Sequence, residues 1–91
     1  MKYLHAMVRV RDLDASLAFY RDALGLVETR RRDYPEGRFT LVYLAAPSNP
    51  ESEVELTFNY DTEDYGSARN FGHLAFEVDD IYAACERLQA H

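Results

Sequence analysis

Tryptophan is absent from this 91-residue chain, and cysteine occurs once. The lone Cys85 excludes an internal disulfide framework, and without a CxxC context nothing points to an oxidising compartment. It is expected to be a small buried apolar residue. No apolar run approaches the length of a membrane span, and the N-terminus alternates instead of presenting a basic region followed by an apolar core. Positive charge is also short. Ten Lys and Arg stand against sixteen Asp and Glu, a net charge of -6, which argues against nucleic acid or a bilayer surface, since both require clustered cations to displace counterions. The one basic run, Arg30 to Arg32, is flanked by Asp33 and Glu36 and reads as a solvated turn. A soluble, cytoplasmic protein with no nucleic-acid or membrane partner is expected.

What is present is alternation. With 47% hydrophobic and 13% aromatic residues the chain supports one domain, at the low end of what buries a core alone. EVELTFNY, Glu53 to Tyr60, places Glu53, Glu55, Thr57 and Asn59 on one face of a strand and Val54, Leu56, Phe58 and Tyr60 on the other. The apolar face packs on a core, so Glu55 is expected on the floor of a cleft. YLHAMVRV, residues 3 to 10, alternates likewise and turns His5 and Arg9 the same way. Asp12 and Asp14 offer helix caps, Leu13, Leu17, Tyr20 and Leu24 make one helical stripe, and Gly25 stops it. Leu26 to Thr29 and Arg38 to Leu44 read as a hairpin joined by RRRDYPEG, and Ala45 to Ser52 as a connection. Asp61 to Asn70 reads as a linker. FGHLAFEV, residues 71 to 78, is a further strand, followed by a helix with Ile81, Ala84, Cys85 and Leu88 on one side.

Set on His5, His73 begins a second copy of the same pattern at an offset of 68, with Val78 on Val10, Asp80 on Asp12 and Ile81 on Leu13. The first unit runs strand, helix and three strands, the last carrying Glu55. The second has only its strand and helix. The same offset applied to Glu55 reaches position 123, past His91, so a complete protein of this design is expected to carry three more strands and one more carboxylate. The fold class is α+β: one complete βαβββ module over about 1–60, a linker over about 61–70 and a shortened second module over about 71–91, within a single domain 1–91.

Two imidazoles and a carboxylate from strand faces of one kind suit a divalent ion such as zinc, nickel, cobalt or manganese, and this donor set selects none of them. Such an ion can polarise a carbonyl while a glutamate takes and returns a proton. Each residue also has a plainer role. His5 or His73 alone would be a hydrogen-bonded histidine, Glu55 a solvated strand carboxylate, and Arg9 and Asn59 ordinary surface residues. The combination of three ligands on three alternating strands, two of them related by a repeat, is what favours a metal site.

HAMVRVRDLDASLAFYRDALGL, VELTFNY and FGHLAF together resemble glyoxalase I, the lactoylglutathione lyase family of the vicinal oxygen chelate superfamily, over essentially the whole chain. The resemblance implies two βαβββ modules, usually in a homodimer with metal sites between subunits, and one divalent ion per site, nickel or zinc. It implies metal ligands at His5, Glu55 and His73, and glutathione contacts from Arg9 and Asn59, with Arg69 matching a further glutathione-contacting arginine of some members. The reaction it implies starts from the hemithioacetal of methylglyoxal and glutathione. A glutamate removes the proton from the carbon bearing sulfur, the metal holds the enediolate oxygens, and reprotonation of the neighbouring carbon gives S-lactoylglutathione. Glu55 is the family carboxylate present to act as base. The family's fourth ligand, a glutamate of the last strands, has no counterpart here. The alternative is a non-catalytic half-module that binds a metal or small molecule, since related folds serve several chemistries.

Overall fold

The computed structural model of the chain describes residues 1–61 and 71–90. Its elements are β1 (Lys2–Val10), α1 (Leu13–Leu17) continuing as a π-helical segment (Ala18–Ala23), β2 (Val27–Tyr34), β3 (Phe39–Ala46), β4 (Asn49–Asn59), β5 (Phe71–Glu77) and α2 (Ile81–Gln89). The strands form one sheet in the order β2-β3-β4-β1-β5, with β1 parallel to β4 and every other pair antiparallel. The first unit is therefore the expected βαβββ module. The first strand of the second unit pairs directly with the first strand of the first.

The even-numbered residues of β1, β3 and β4 make the core. Val42, Leu44 and Leu56 are completely buried and cluster with Val10 and with Leu17 of α1, while Val8, Leu13, Tyr20, Leu26, Val54 and Phe58 pack around them. Burial of each such aliphatic side chain contributes about 1.5–3 kcal/mol, enough to hold α1 against this side of the sheet. Helix packing on one face leaves the odd-numbered residues for the opposite face, and that is where Tyr43, Glu55 and Thr57 lie.

The repeat extends to the helix caps. Asp12 accepts a hydrogen bond from the Ala15 backbone at 3.0 Å, and Asp80 accepts from Tyr82 and Ala83 at 2.9 and 3.1 Å, each satisfying donors a helix leaves open at its start. Gly25 adopts φ +81°, a left-handed conformation that closes the helical segment with a bond from its N–H to the Arg21 carbonyl at 3.1 Å.

Four local expectations are corrected. Arg30 to Arg32 do not form a turn: β2 runs through them to Tyr34, and the turn is Pro35 to Arg38 alone. Successive arginines of that run find carboxylate partners while held in the strand, Arg30 on Glu53 and Arg31 on Glu28. Ala45 to Ser52 is not a connection, because β3 and β4 extend to a two-residue turn at Pro47 and Ser48. Leu24 leaves the helical stripe and is 56% exposed, since the π-helical segment shifts the angular spacing after Leu17. Cys85 is exposed, as are Ile81 and Leu88, because among the described residues nothing covers that side of α2. The expected linker falls, beyond Asp61, outside the described residues.

Candidate metal centre

β1, β4 and β5 bring the three candidate ligands together at the middle of the sheet. In the parallel β1–β4 ladder Met7 stands opposite Glu55, and in the antiparallel β1–β5 ladder Met7 stands opposite His73. His5 is one side chain further along the same face. The ligand atoms of His5, Glu55 and His73 all lie within 4.8 Å of one another. His5 Nε2 is 2.7 Å from Glu55 Oε2 and 3.1 Å from His73 Nε2, and His73 Nε2 is 4.0 Å from the same carboxylate oxygen. Glu55 is buried at the floor, His5 is half-buried and His73 is exposed, so the group opens outward on one side.

Local sequence produces this convergence. β5 carries a bulge at Gly72, where two residues of β5 pass one step of β1 between His73 and Phe71. A Cβ built at Gly72 would collide with the end of the Met7 side chain, so glycine leaves room on β5 for the Met7 thioether of the neighbouring β1.

The surroundings fix Glu55 closely. Thr57 Oγ1 donates to Glu55 Oε1 at 3.1 Å. Tyr43, directly opposite Glu55 in the β3–β4 ladder, is buried and sets its ring edge-on to His5 with centroids 5.6 Å apart. Burial, then the nearby Glu55 charge, push the Tyr43 phenol up to about 12. The Arg30 guanidinium lies 3.8 Å above the Tyr43 ring and pairs with Glu53 at 3.1 Å. Burial pushes the Glu53 carboxyl up, but hydrogen bonds from Thr29 and Arg30 outweigh it and hold Glu53 below the usual carboxylate range. Glu53 is thus committed to Arg30, and Glu55 is the carboxylate of this face that is turned toward the imidazoles.

Arg9 and Asn59 sit toward the C-terminal ends of β1 and β4, on the same face as the centre, and Arg9 donates to the Phe71 carbonyl at 3.3 Å. Both are half-buried and both have further interactions within the fold. Arg69 lies outside the described residues. Sequence reasoning passed over Tyr43, Arg30 and the supporting role of Thr57. The alternation Phe39, Leu41, Tyr43 carried the signal for the tyrosine, but only strand pairing shows that β3 lies next to β4.

Two imidazole nitrogens and one carboxylate oxygen converging on a single point fit a divalent ion of borderline softness. The geometry of the donors, two Nε2 atoms 3.1 Å apart beside a buried carboxylate, has the form of a set whose lone pairs share one cation. His5 Nδ1 is buried without a hydrogen-bond partner among the described residues. No helix of the described residues is long and apolar enough to cross a membrane.

Comparison with known proteins agrees with this architecture. The family model described as Glyoxalase/Bleomycin resistance protein/Dioxygenase superfamily matches residues 2–91. Lactoylglutathione lyase of Neisseria meningitidis is 51% identical over 90 residues, which cover 98% of this chain and 65% of that protein. The chain therefore spans just under two thirds of the length of this relative. Among solved structures, the trypanothione-dependent glyoxalase I of Leishmania major superposes with a TM-score of 0.67 at 37% identity, covering 100% of this chain and 66% of that one. Methylmalonyl-CoA epimerase from Mycobacterium tuberculosis, at 23% identity, gives a TM-score of 0.70 over 98% of this chain and 63% of its own, a likeness of fold alone.

Proposed function

The chain belongs to the Glyoxalase/Bleomycin resistance protein/Dioxygenase superfamily, and from that premise we propose that it serves glyoxalase I-type chemistry, the isomerisation of the methylglyoxal–glutathione hemithioacetal to S-lactoylglutathione. The observation that carries this reading is the convergence of His5, Glu55 and His73 within 4.8 Å at an open sheet face. Those three residues would hold one divalent ion, nickel or zinc, which when bound supplies Lewis acidity toward the substrate oxygens.

The chain's own residues account for the remaining requirements. Glu55, turned inward and not committed to an arginine as Glu53 is, takes the proton from the carbon bearing sulfur and returns it to the neighbouring carbon. The hydroxyl proton moves between the two oxygens, so the reaction is redox-neutral overall and needs no nicotinamide or flavin. Arg9 and Asn59, beside the centre, bind the anionic glutathione portion and give an acidic protein a local positive point, and Arg69 would extend that contact. Two chains would associate as a homodimer with sites between subunits, in the cytoplasm. The lactoylglutathione lyase name of a relative at 51% identity supports the assignment of substrate.

A second reading rests on the size of the donor set. Glu55 would serve both as ligand and as base, and a site with that double demand on one carboxylate can bind an ion or small molecule without turning over. The deciding experiment is thioester formation from glutathione and methylglyoxal by metal-stripped chain supplied with nickel or zinc. Metal-dependent turnover that is lost in Glu55→Gln supports the lyase. A folded, metal-binding chain without turnover supports the binding module.

A further inference from the structure

The sheet face that carries the three candidate ligands continues past them to β2. Cross-strand partners stand there in two adjacent rows: Arg30, Tyr43, Glu55, Met7 and His73 in one, and Arg32, Leu41, Thr57 and Arg9 in the next. Arg32 on β2 and Arg9 on β1 therefore bracket one row from three strand spacings apart, about 14 Å. The row beside it carries Glu55 and His73.

The three arginines of β2 are not equivalent. Arg30 is taken up by Glu53 and Arg31 by Glu28, each through two of its nitrogens. Arg32 has neither an ion pair nor a hydrogen bond among the described residues, and its guanidinium lies 5.4 Å from the centre of the Tyr34 ring. A ring contact occupies the face of a guanidinium and leaves the N–H groups of its edge for an acceptor in the plane. Beside it is a cavity of about 170 Å³ lined by Arg30, Arg31, Arg32, Tyr34 and Tyr43, a set of cationic and phenolic donors with no carboxylate among them. In a chain with a net charge of -6, a cavity of that composition fits an anion.

We propose that Arg32, with Tyr34 beside it, is a carboxylate-binding point for the arm that a 2-oxoaldehyde brings to the site, so that the substrates include 2-oxoaldehydes whose side chain ends in a carboxylate. The proposal rests on the glyoxalase I-type reading. In that reading the glutathione portion lies at Arg9 and Asn59, toward the C-terminal ends of β1 and β4, and the reacting carbons lie over Glu55, which leaves the course across β3 to β2 for the remaining arm. β2 is two strand spacings, about 9–10 Å, from β4, a gap that an arginine side chain and a short arm close between them. The isomerisation itself is unchanged. The proton leaves the carbon bearing sulfur and returns to its neighbour, and the carboxylate of the arm neither makes nor breaks a bond.

The test is calorimetric titration of the 91-residue chain with two unreactive ligands, S-butylglutathione and S-(3-carboxypropyl)glutathione, which share the tripeptide and differ by a terminal carboxylate in place of a methyl group. Wild type, Arg32→Met and Arg21→Met are compared. Arg21 pairs with Asp22 on the helical segment across the sheet, so its substitution removes the same charge at a distance from the cavity. We expect wild type to bind the carboxypropyl ligand about fivefold or more tightly than the butyl one, Arg32→Met to bind the two alike, and Arg21→Met to keep the preference. Equal binding of the butyl and carboxypropyl ligands by wild type overturns the proposal and leaves the glutathione reading standing. An Arg32→Met chain that weakens both ligands and keeps the preference overturns it too, because Arg32 then serves a carboxylate of the tripeptide. A preference lost equally in Arg21→Met also overturns it, as an effect of net charge. Binding of neither ligand by wild type overturns the glutathione reading itself, and the role of Arg32 with it.

Discussion

The Nε2 atoms of His5 and His73 face one another across 3.1 Å although 68 residues separate them in the chain. They occupy matching positions in two copies of one sequence pattern, and the strands that carry them pair antiparallel. An approximate two-fold relation between β1 and β5 thus turns a repeat in sequence into a pair of converging ligands, and β4 completes the group by placing Glu55 beneath them.

Metal should stabilise this chain through that group. Zinc or nickel at one hundred times its dissociation constant is expected to add about 2.7 kcal/mol to the unfolding free energy, which for a domain of this size raises the melting temperature by several degrees or more. In His73→Ala the rise should vanish over the same metal range. A melting temperature indifferent to metal in wild type, or an undiminished rise in the variant, would remove the three residues as a ligand set.

Arg9→Met keeps much of the side chain's apolar length and deletes its charge. If Arg9 binds the anionic glutathione portion of the substrate, KM should rise by about tenfold or more with a smaller change in kcat, the pattern expected when uniform binding is lost. Steady-state kinetics in wild type and variant check this, and a fall in kcat at constant KM would place Arg9 elsewhere in the reaction.

Leu44 has no exposed surface and lies at the centre of the cluster that binds α1 to the sheet. Leu44→Ala should cost about 2–5 kcal/mol from lost burial and the cavity left behind, which denaturant unfolding would register as a large drop in midpoint. The exposed Leu88→Ala should fall within about 0.5 kcal/mol of wild type. Equal losses at the two positions would contradict the one-sided core.

Arg38 pairs with Asp61 at 2.8 Å, and that hydrogen bond, reinforced by the arginine charge, holds the Asp61 carboxyl below its ordinary value of 3.8. A lowered folded value means that the contribution of this pair is present above pH 3.8 and is lost as pH falls through the folded value. Carboxyl NMR titration should find Asp61 below its ordinary value in wild type and returned toward it in Arg38→Ala. Because both groups are well exposed, added salt should shrink the difference. An Asp61 titration unmoved by Arg38→Ala would remove the pair from the solution structure.

Alternation and helical spacing are local consequences of backbone geometry, so the sequence by itself determined the strand–helix order, the strand faces carrying His5, Glu55 and His73, and the repeat that relates the two histidines. Its errors fell where a tertiary partner overrides local preference. Arg30 to Arg32 look like a turn until β3 lies beside them and Glu53, Glu28 and the aromatic rings take up their charge, and Cys85 looks buried until α2 is found uncovered among the described residues. The register that sets Glu55 opposite Met7 and Tyr43 opposite Glu55 was decided only by the tertiary structure. Strand order and pairing depend on contacts between segments far apart in sequence, and no periodicity within one segment encodes which neighbour its edge will meet.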